Sequence, residues 1–281
     1  MDRLESIDLR FLGLEQEIGV FLVETDDGPA LFDCGPASTV ENLRAGLASH
    51  GLGFGDLRHL LLSHIHLDHA GATGALVREN PALTVWVSPV GMPHLIDPEK
   101  LVGSARRLFP NFDEMWGPML PVPEQNLRSA EGDVLGWEAF PTPGHASHHV
   151  SYLRDGVVLA GDACGVRIPP SDYVEPMAPP PDIDVEAWHR SVDEIEQRSP
   201  DTLALIHFGL VTDVREHLAG FRAQLDRWSG WVRAGMDEEE FVAAVVAEAG
   251  SDAERYSAVF SFGMSWRGLR RYWDRASSAA S

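Results

Sequence analysis

The chain has 281 residues, 44% hydrophobic and 23% charged, with 22 basic side chains against 43 acidic ones and a formal net charge of −21. A length near the upper limit for one hydrophobic core, with no unbroken apolar run of about 20 residues, excludes disorder and a membrane-spanning helix. An acidic surface repels phosphate backbones, which excludes nucleic acid as a partner.

Residues 19 to 33 have the pattern of a hairpin turning at Thr25-Asp26-Asp27-Gly28 and ending in Asp33-Cys34-Gly35-Pro36. Residues 41 to 50 have helical spacing, and 57 to 62 form a short apolar strand that stops at Ser63 and a histidine cluster. A helix is expected over 71 to 79 and a strand over 84 to 90, followed by an irregular stretch from 91 to 135. Strands are expected at 137 to 140, 150 to 153 and 157 to 160. The prolines of 166 to 182 dictate an extended loop, because proline donates no backbone hydrogen bond and breaks helices. A helix over 185 to 197 and a strand over 202 to 206 complete the mixed α/β part.

Beyond Val211 the pattern is helical only. Asp213 with Glu216, Asp237 with Glu240 and Ser251 with Glu254 have capping-box spacing, predicting three helices. The last carries Val259, Phe262, Trp266, Leu269 and Trp273 at alternating spacings of three and four, an apolar stripe. Such a stripe packs on the main body or forms a subunit interface in a homodimer. The opening Met-Asp-Arg-Leu-Glu-Ser lacks the basic and apolar regions of a secretory leader, so a cytoplasmic location with Cys34 and Cys164 reduced is expected.

The chemistry concentrates in His64-Ile65-His66-Leu67-Asp68-His69, four metal-binding side chains in six residues directly after an apolar strand. Imidazole and carboxylate together suit zinc, iron or manganese, whereas calcium or magnesium prefers an oxygen cage. Three further donors lie at strand ends: His145 after Pro143-Gly144, Asp162 after Gly161, and His207 before Phe208-Gly209. A rigid sheet then holds the geometry while loops supply the chemistry. No phosphate-cradling glycine loop, dinucleotide fingerprint or Gly-x-Ser-x-Gly elbow accompanies them.

With its His64-x-His66-x-Asp68-His69 motif and the distant His145, Asp162 and His207 in order over residues 19 to 209, the chain resembles the metallo-β-lactamase superfamily. The resemblance implies an αββα four-layer sandwich over residues 1 to 211, with a helical extension, 212 to 281, packed on it. It also implies that His64, His66 and His145 bind one metal, that Asp68, His69 and His207 bind another, and that Asp162 bridges them. Asp33 matches a position that supports the site from behind. Two divalent ions, zinc first, with iron or manganese as alternatives, would yield a hydroxide near neutral pH. Asp68 would orient that water and shuttle its proton.

The expected activity is therefore hydrolysis of an ester-, thioester- or lactone-type bond in a small molecule, with glyoxalase II-like thioesterase chemistry preferred. A mononuclear iron persulfide dioxygenase, using His64, His145 and Asp162, is the alternative, and a phosphodiesterase ranks below both. Two departures from the family matter. His148 stands where the family usually carries glycine, which makes it a candidate for touching substrate. Acyl-homoserine lactonases of the family often place tyrosine three residues after the bridging aspartate, and here that residue is Gly165. Trp116, Tyr173 and Met177 are the candidate apolar contacts on a rim built from 91 to 135 and 166 to 182. Cys164 is read as a small buried residue rather than a ligand.

Overall fold

The structure, a computed structural model, describes residues 4–258 and 260–279. In chain order its elements begin β1 (Leu4–Asp8), β2 (Gly19–Thr25), β3 (Gly28–Phe32), α1 (Val40–Ser49), β4 (His59–Leu61), α2 (Leu67–Ala70), α3 (Thr73–Glu79) and β5 (Thr84–Val87). Then come α4 (Met92–Ile96), α5 (Glu99–Leu108), α6 (Phe112–Trp116), β6 (Leu127–Ser129), β7 (Gly132–Val134), β8 (Trp137–Pro141), β9 (Val150–Arg154) and β10 (Val157–Gly161). The remainder is α7 (Val185–Gln197), β11 (Thr202–Leu205), β12 (Gly209–Val211), α8 (Val214–Arg233), α9 (Glu238–Ala249), α10 (Ala253–Tyr256) and α11 (Phe262–Ala279).

The strands form two six-stranded sheets, ordered β1-β2-β3-β4-β5-β6 and β12-β11-β10-β9-β8-β7. In the first sheet β1, β2 and β3 pair antiparallel, with Phe21 opposite Phe32, and β3 to β6 run parallel. The second sheet is antiparallel except at β10 and β11.

Side-chain alternation along a strand explains the layering. In β10 and β11, Leu159 and Ala204 belong to the core shared by the two sheets, together with Val20, Leu60, Trp137 and Tyr152. Their neighbours Val158, Ala160, Leu203 and Leu205 belong to a second core with Trp188 and Ile195 of α7 and Phe221 and Trp228 of α8. On the first sheet's side, Leu43 and Leu47 of α1 and Leu76 and Val77 of α3 join the first core. The result is helix, sheet, sheet, helix, with strand ends gathered at one edge.

The helices after Val211 share the second core with α7 and the second sheet. Phe262 and Leu269 of the stripe are buried there, while Trp266 donates its indole N–H to the Met236 carbonyl (2.9 Å) and Trp273 donates to that of Ser229 (3.1 Å). The stripe thus packs within the chain; Val259 lies outside the described residues. Among the described residues no helix is long and apolar enough to cross a membrane.

Several expectations need correction. The stretch 91 to 135 is not irregular: it holds α4, α5, α6, β6 and β7. Two of its prolines sit where helices tolerate them, Pro93 in the first turn of α4 and Pro98 at the start of α5, so these begin helices instead of breaking them. Of the three capping boxes only Asp237–Glu240 forms. Asp213 turns its carboxylate to Arg167 (2.8 Å), and Ser251 lies in a short turn ahead of α10, so the final helix comes in two pieces. The strand at 84 ends at Val87, and β1 and β12 were not anticipated.

Candidate metal centre

The donors converge. Among the described residues, one ligand atom each from His64, His66 and His145 lies within 4.8 Å of the others, and the same holds for Asp68, His69 and His207 and for His64, His69 and Asp162. Both sheets contribute. His64 and His66 follow β4, and Asp68 and His69 lie in α2. His145 follows β8, Asp162 follows β10 and His207 follows β11. Asp162 faces both groups: its Oδ2 is 3.2 Å from His145 Nε2, and its Oδ1 is 3.3 Å from His69 Nε2 and 3.7 Å from His207 Nε2. Asp68 Oδ2 is 3.4 Å from His207 Nε2 and 3.5 Å from His69 Nε2.

The ring protons are fixed from outside. His145 donates its Nδ1–H to the Met177 carbonyl (2.9 Å), and His207 donates to that of Glu17 (2.6 Å). His69 donates to Asp33 Oδ2 (2.7 Å). Ser63 spends its hydroxyl proton on the same carboxylate (2.7 Å), so its oxygen accepts from His64 Nδ1 (2.9 Å). Carbonyls and a carboxylate only accept here, so each of these Nδ1 atoms carries the proton and each Nε2 turns a lone pair inward. His66 presents Nδ1, 2.9 Å from His64 Nε2 and 3.0 Å from His145 Nε2.

Three ring nitrogens this close cannot all be satisfied by one shared proton. Among the described residues, His69 Nε2, His207 Nε2 and both oxygens of Asp162 are buried with no hydrogen-bond partner. Buried polar atoms without partners are costly. Lone pairs from imidazole and carboxylate aimed at common points are the donor set that divalent zinc, iron or manganese takes, so the residues fit metal ions.

The electrostatics agree. Burial pushes the pKa values of His64 and His149 well below that of a free imidazole, and that of His66 down to about 3. Burial also disfavours charge on His69 and His207, but Asp162 and Asp68 overcome it and hold both raised, with Asp33 adding to the effect at His69. Burial similarly opposes ionisation of Asp68, yet His69 and His207 hold it well below the ordinary carboxylate range. The carboxylates of Asp68 and Asp162 thus draw positive charge towards His69 and His207, the place that cations would take.

Local backbone builds this geometry. Asp33 sits at φ 56°, a left-handed conformation that aspartate tolerates better than most residues, and its carboxylate also accepts the Ser63 backbone N–H (2.7 Å). Gly144 (φ +141°) and Gly161 (φ +51°) precede His145 and Asp162, and a Cβ would fall 2.3 Å from the Trp188 Cα at the first and 2.6 Å from the Ser63 Cβ at the second. Only glycine fits there.

The other candidates separate. His148 is buried beside the donors, its ring centroid 6.0 Å from that of His64, and with Trp116 and Met177 it lines an adjoining cleft. Tyr173 does not line that cleft, correcting its assignment as a contact: it packs in the second core, edge-on to Tyr256 at 5.1 Å, with its hydroxyl accepting from Gln224 (3.1 Å). Cys164 is buried, its thiol pushed up to about 12 by desolvation, and it belongs to none of the donor groups. His149, to which the sequence pattern assigns no role, has a definite one: its Nε2 accepts the Asp162 backbone N–H (3.1 Å) while its Nδ1 meets Thr142 Oγ1 (2.8 Å). Its place four residues after His145 was the available signal. His94, Phe260 and Met264 also line the cleft and were not singled out.

Comparison with known proteins agrees with this arrangement. The family model of the metallo-beta-lactamase superfamily matches residues 19–207. The metallo-beta-lactamase fold-containing protein ST1585 of Sulfurisphaera tokodaii is 29% identical over 175 residues, covering 58% of this chain and 65% of that protein. The crystal structure of ST1585 from Sulfolobus tokodaii has a TM-score of 0.64 over 96% of this chain and 99% of that one, at 21% identity. An N-acyl homoserine lactonase of Bacillus cereus is 28% identical over 176 residues, 52% of this chain and 63% of that protein. The chain thus spans slightly less than two thirds of these curated relatives. The crystal structure of TTHA1623 in a di-iron-bound form is 25% identical, with a TM-score of 0.54 over 72% of this chain and 91% of that one.

Proposed function

Since the chain belongs to the metallo-beta-lactamase superfamily of hydrolases, we propose that it holds two divalent metal ions, zinc first among them, and hydrolyses an ester-, thioester- or lactone-type bond of a small molecule. The observation that carries this reading is the posture of Asp162, whose two buried oxygens lack hydrogen-bond partners among the described residues and face the two donor groups separately. His64, His66 and His145 would hold one ion and Asp68, His69 and His207 the other, with Asp162 between them. Ions so placed lower the pKa of a water towards neutrality and stabilise the negative charge that develops on a carbonyl oxygen.

The chain's own residues supply the remaining functions. Asp68, held as a carboxylate by His69 and His207, orients the attacking water and takes its proton. His148, neutral and at the cleft wall, offers a hydrogen bond to a substrate oxygen. The hydrogen bonds of Asp33, Met177 and Glu17 keep the imidazoles aimed.

The second donor group is as complete as the first, which favours two ions over a mononuclear iron dioxygenase. The di-iron relative keeps iron among the metals to be tested. The lactonase relative supports a lactone among the bonds cleaved. At Gly165 (φ +73°), however, a Cβ would lie 2.5 Å from the Glu175 carbonyl, so a lactonase-like tyrosine has no room there.

The test is element analysis of protein purified without chelator, followed by a panel of thioesters, lactones, esters, β-lactams and phosphodiesters. Two ions per chain and hydrolysis of an acyl substrate are expected, with Asp68→Ala losing more than about 100-fold in kcat at saturating metal while remaining folded. One iron per chain with oxygen uptake on a persulfide would overturn the reading.

A further inference from the structure

The cleft beside the donors has a volume of about 360 Å³, and its lining includes His66 and Asp68 themselves. Its other walls come from separate parts of the chain. Leu101, Ala105 and Leu108 lie on one face of α5 at helical spacing, Met177 comes from the proline-rich loop, and Phe260 and Met264 come from the C-terminal helical region. Leu108 and Val90 are among the few large apolar side chains left exposed, and both lie on this cleft.

The wall is also braced. The Phe260 ring stands edge-on to His207 at 5.7 Å and stacks on Trp116 at 6.1 Å. Trp116 stacks in turn on Phe11 at 5.2 Å and meets Phe109 edge-on at 5.0 Å. An aromatic run thus links a candidate metal ligand to the cleft, so the apolar space is continuous with the donors. Polar groups in the lining, Asp182, Lys100 and His94 among them, are outnumbered by aliphatic, aromatic and proline side chains.

Resting on the hydrolase reading above, we propose that this cleft houses an unbranched apolar tail on the acyl side of the substrate, with Phe260 and Met264 setting the length it accepts. A methylene fills about the space of one water in the liquid, roughly 30 Å³, so the cleft takes a tail on the order of ten heavy atoms. Small-molecule sites of this size and lining bind chiefly by apolar burial, with a few polar groups fixing orientation. Each methylene buried is worth about a fourfold gain in affinity.

The experiment uses metal-loaded protein and two readouts. In the first, 1-alkanols of four to twelve carbons displace the neutral fluorescent probe N-phenyl-1-naphthylamine; in the second, kcat/KM is measured for acetyl to decanoyl thioesters. The expected result is about a fourfold rise per methylene in both series up to a plateau. Ala105→Trp, which fills the cleft, should bring that plateau forward by several carbons, and Phe260→Ala should push it later. Leu108→Glu, at an exposed position, should weaken the long alkanols about tenfold and covers the case in which Ala105→Trp fails to fold. Chain-length dependence unaltered by the cleft variants, or acetyl and decanoyl thioesters cleaved alike, would overturn the proposal and leave the hydrolase reading standing. Length-dependent alkanol binding sensitive to these variants, with no hydrolysis of any acyl substrate, would overturn the hydrolase reading and leave the apolar site standing.

Discussion

Asp33 carries more of the site than any residue outside the donor set. One carboxylate accepts from the His69 ring, the Ser63 hydroxyl and the Ser63 backbone, fixing His69 directly and His64 through Ser63. Asp33→Asn replaces one acceptor oxygen with a donor and turns at least one contact repulsive. We expect metal affinity to fall about 10- to 100-fold, the usual range for a lost outer partner, in a competition titration against a chromophoric chelator. The raised pKa values of His69 and His207 predict a pH dependence as well. Below those values both imidazoles are protonated and ions must displace the protons, so apparent affinity rises with pH, by up to about 100-fold per unit while two protons are exchanged, and levels off above them. An affinity flat from pH 5 to 8 would contradict the assignment. The seven donors were legible because each is a residue type with its own coordination chemistry, four in the run that follows β4 and three at the ends of other strands. The Met177 and Glu17 carbonyls that aim His145 and His207 were not, since any residue type brings the same backbone oxygen to such a place.

At the scale of elements, local signals held where the chain needed nothing from elsewhere to satisfy them. The hairpin of β2 and β3 and the helix α7 follow directly from turn residues and apolar period. The segment holding α4, α5 and α6 was opaque because prolines mark the starts of helices as readily as their ends, and because α5 turns one apolar face into a cleft instead of a core. Capping boxes show the same limit. The pattern at Asp213 was diverted by Arg167, a partner 46 residues away, whereas Asp237 had no such competitor and forms the reciprocal pair with Glu240 (2.9 Å). Asp237→Ala should therefore cost about 1 kcal/mol, read from the urea midpoint at unchanged slope. A change within error would mean that α9 is held by packing alone.

For the molecule as a whole, each donor group draws on both sheets. The first joins His64 and His66 from one sheet to His145 from the other, and the second joins Asp68 and His69 to His207. Other ties cross the same seam: Val150 N–H to the Ser63 carbonyl (2.8 Å), Tyr152 hydroxyl to that of Leu62 (2.9 Å) and Gly19 N–H to that of Ile206 (2.9 Å). Ligands that bind only the folded state stabilise it, by about 4 kcal/mol at a thousandfold excess over Kd. At roughly 2–4 °C per kcal/mol for a chain of this size, chelation should lower Tm by about 8 to 16 °C for each ion removed, in a single calorimetric transition. Two separated transitions would show that the sheets unfold independently. With a single transition, the ions work as a clasp as well as a tool. A cell starved of metal would hold a protein not merely idle but shorter-lived, opened along its midline to proteolysis, so its abundance would track metal supply without any dedicated sensor.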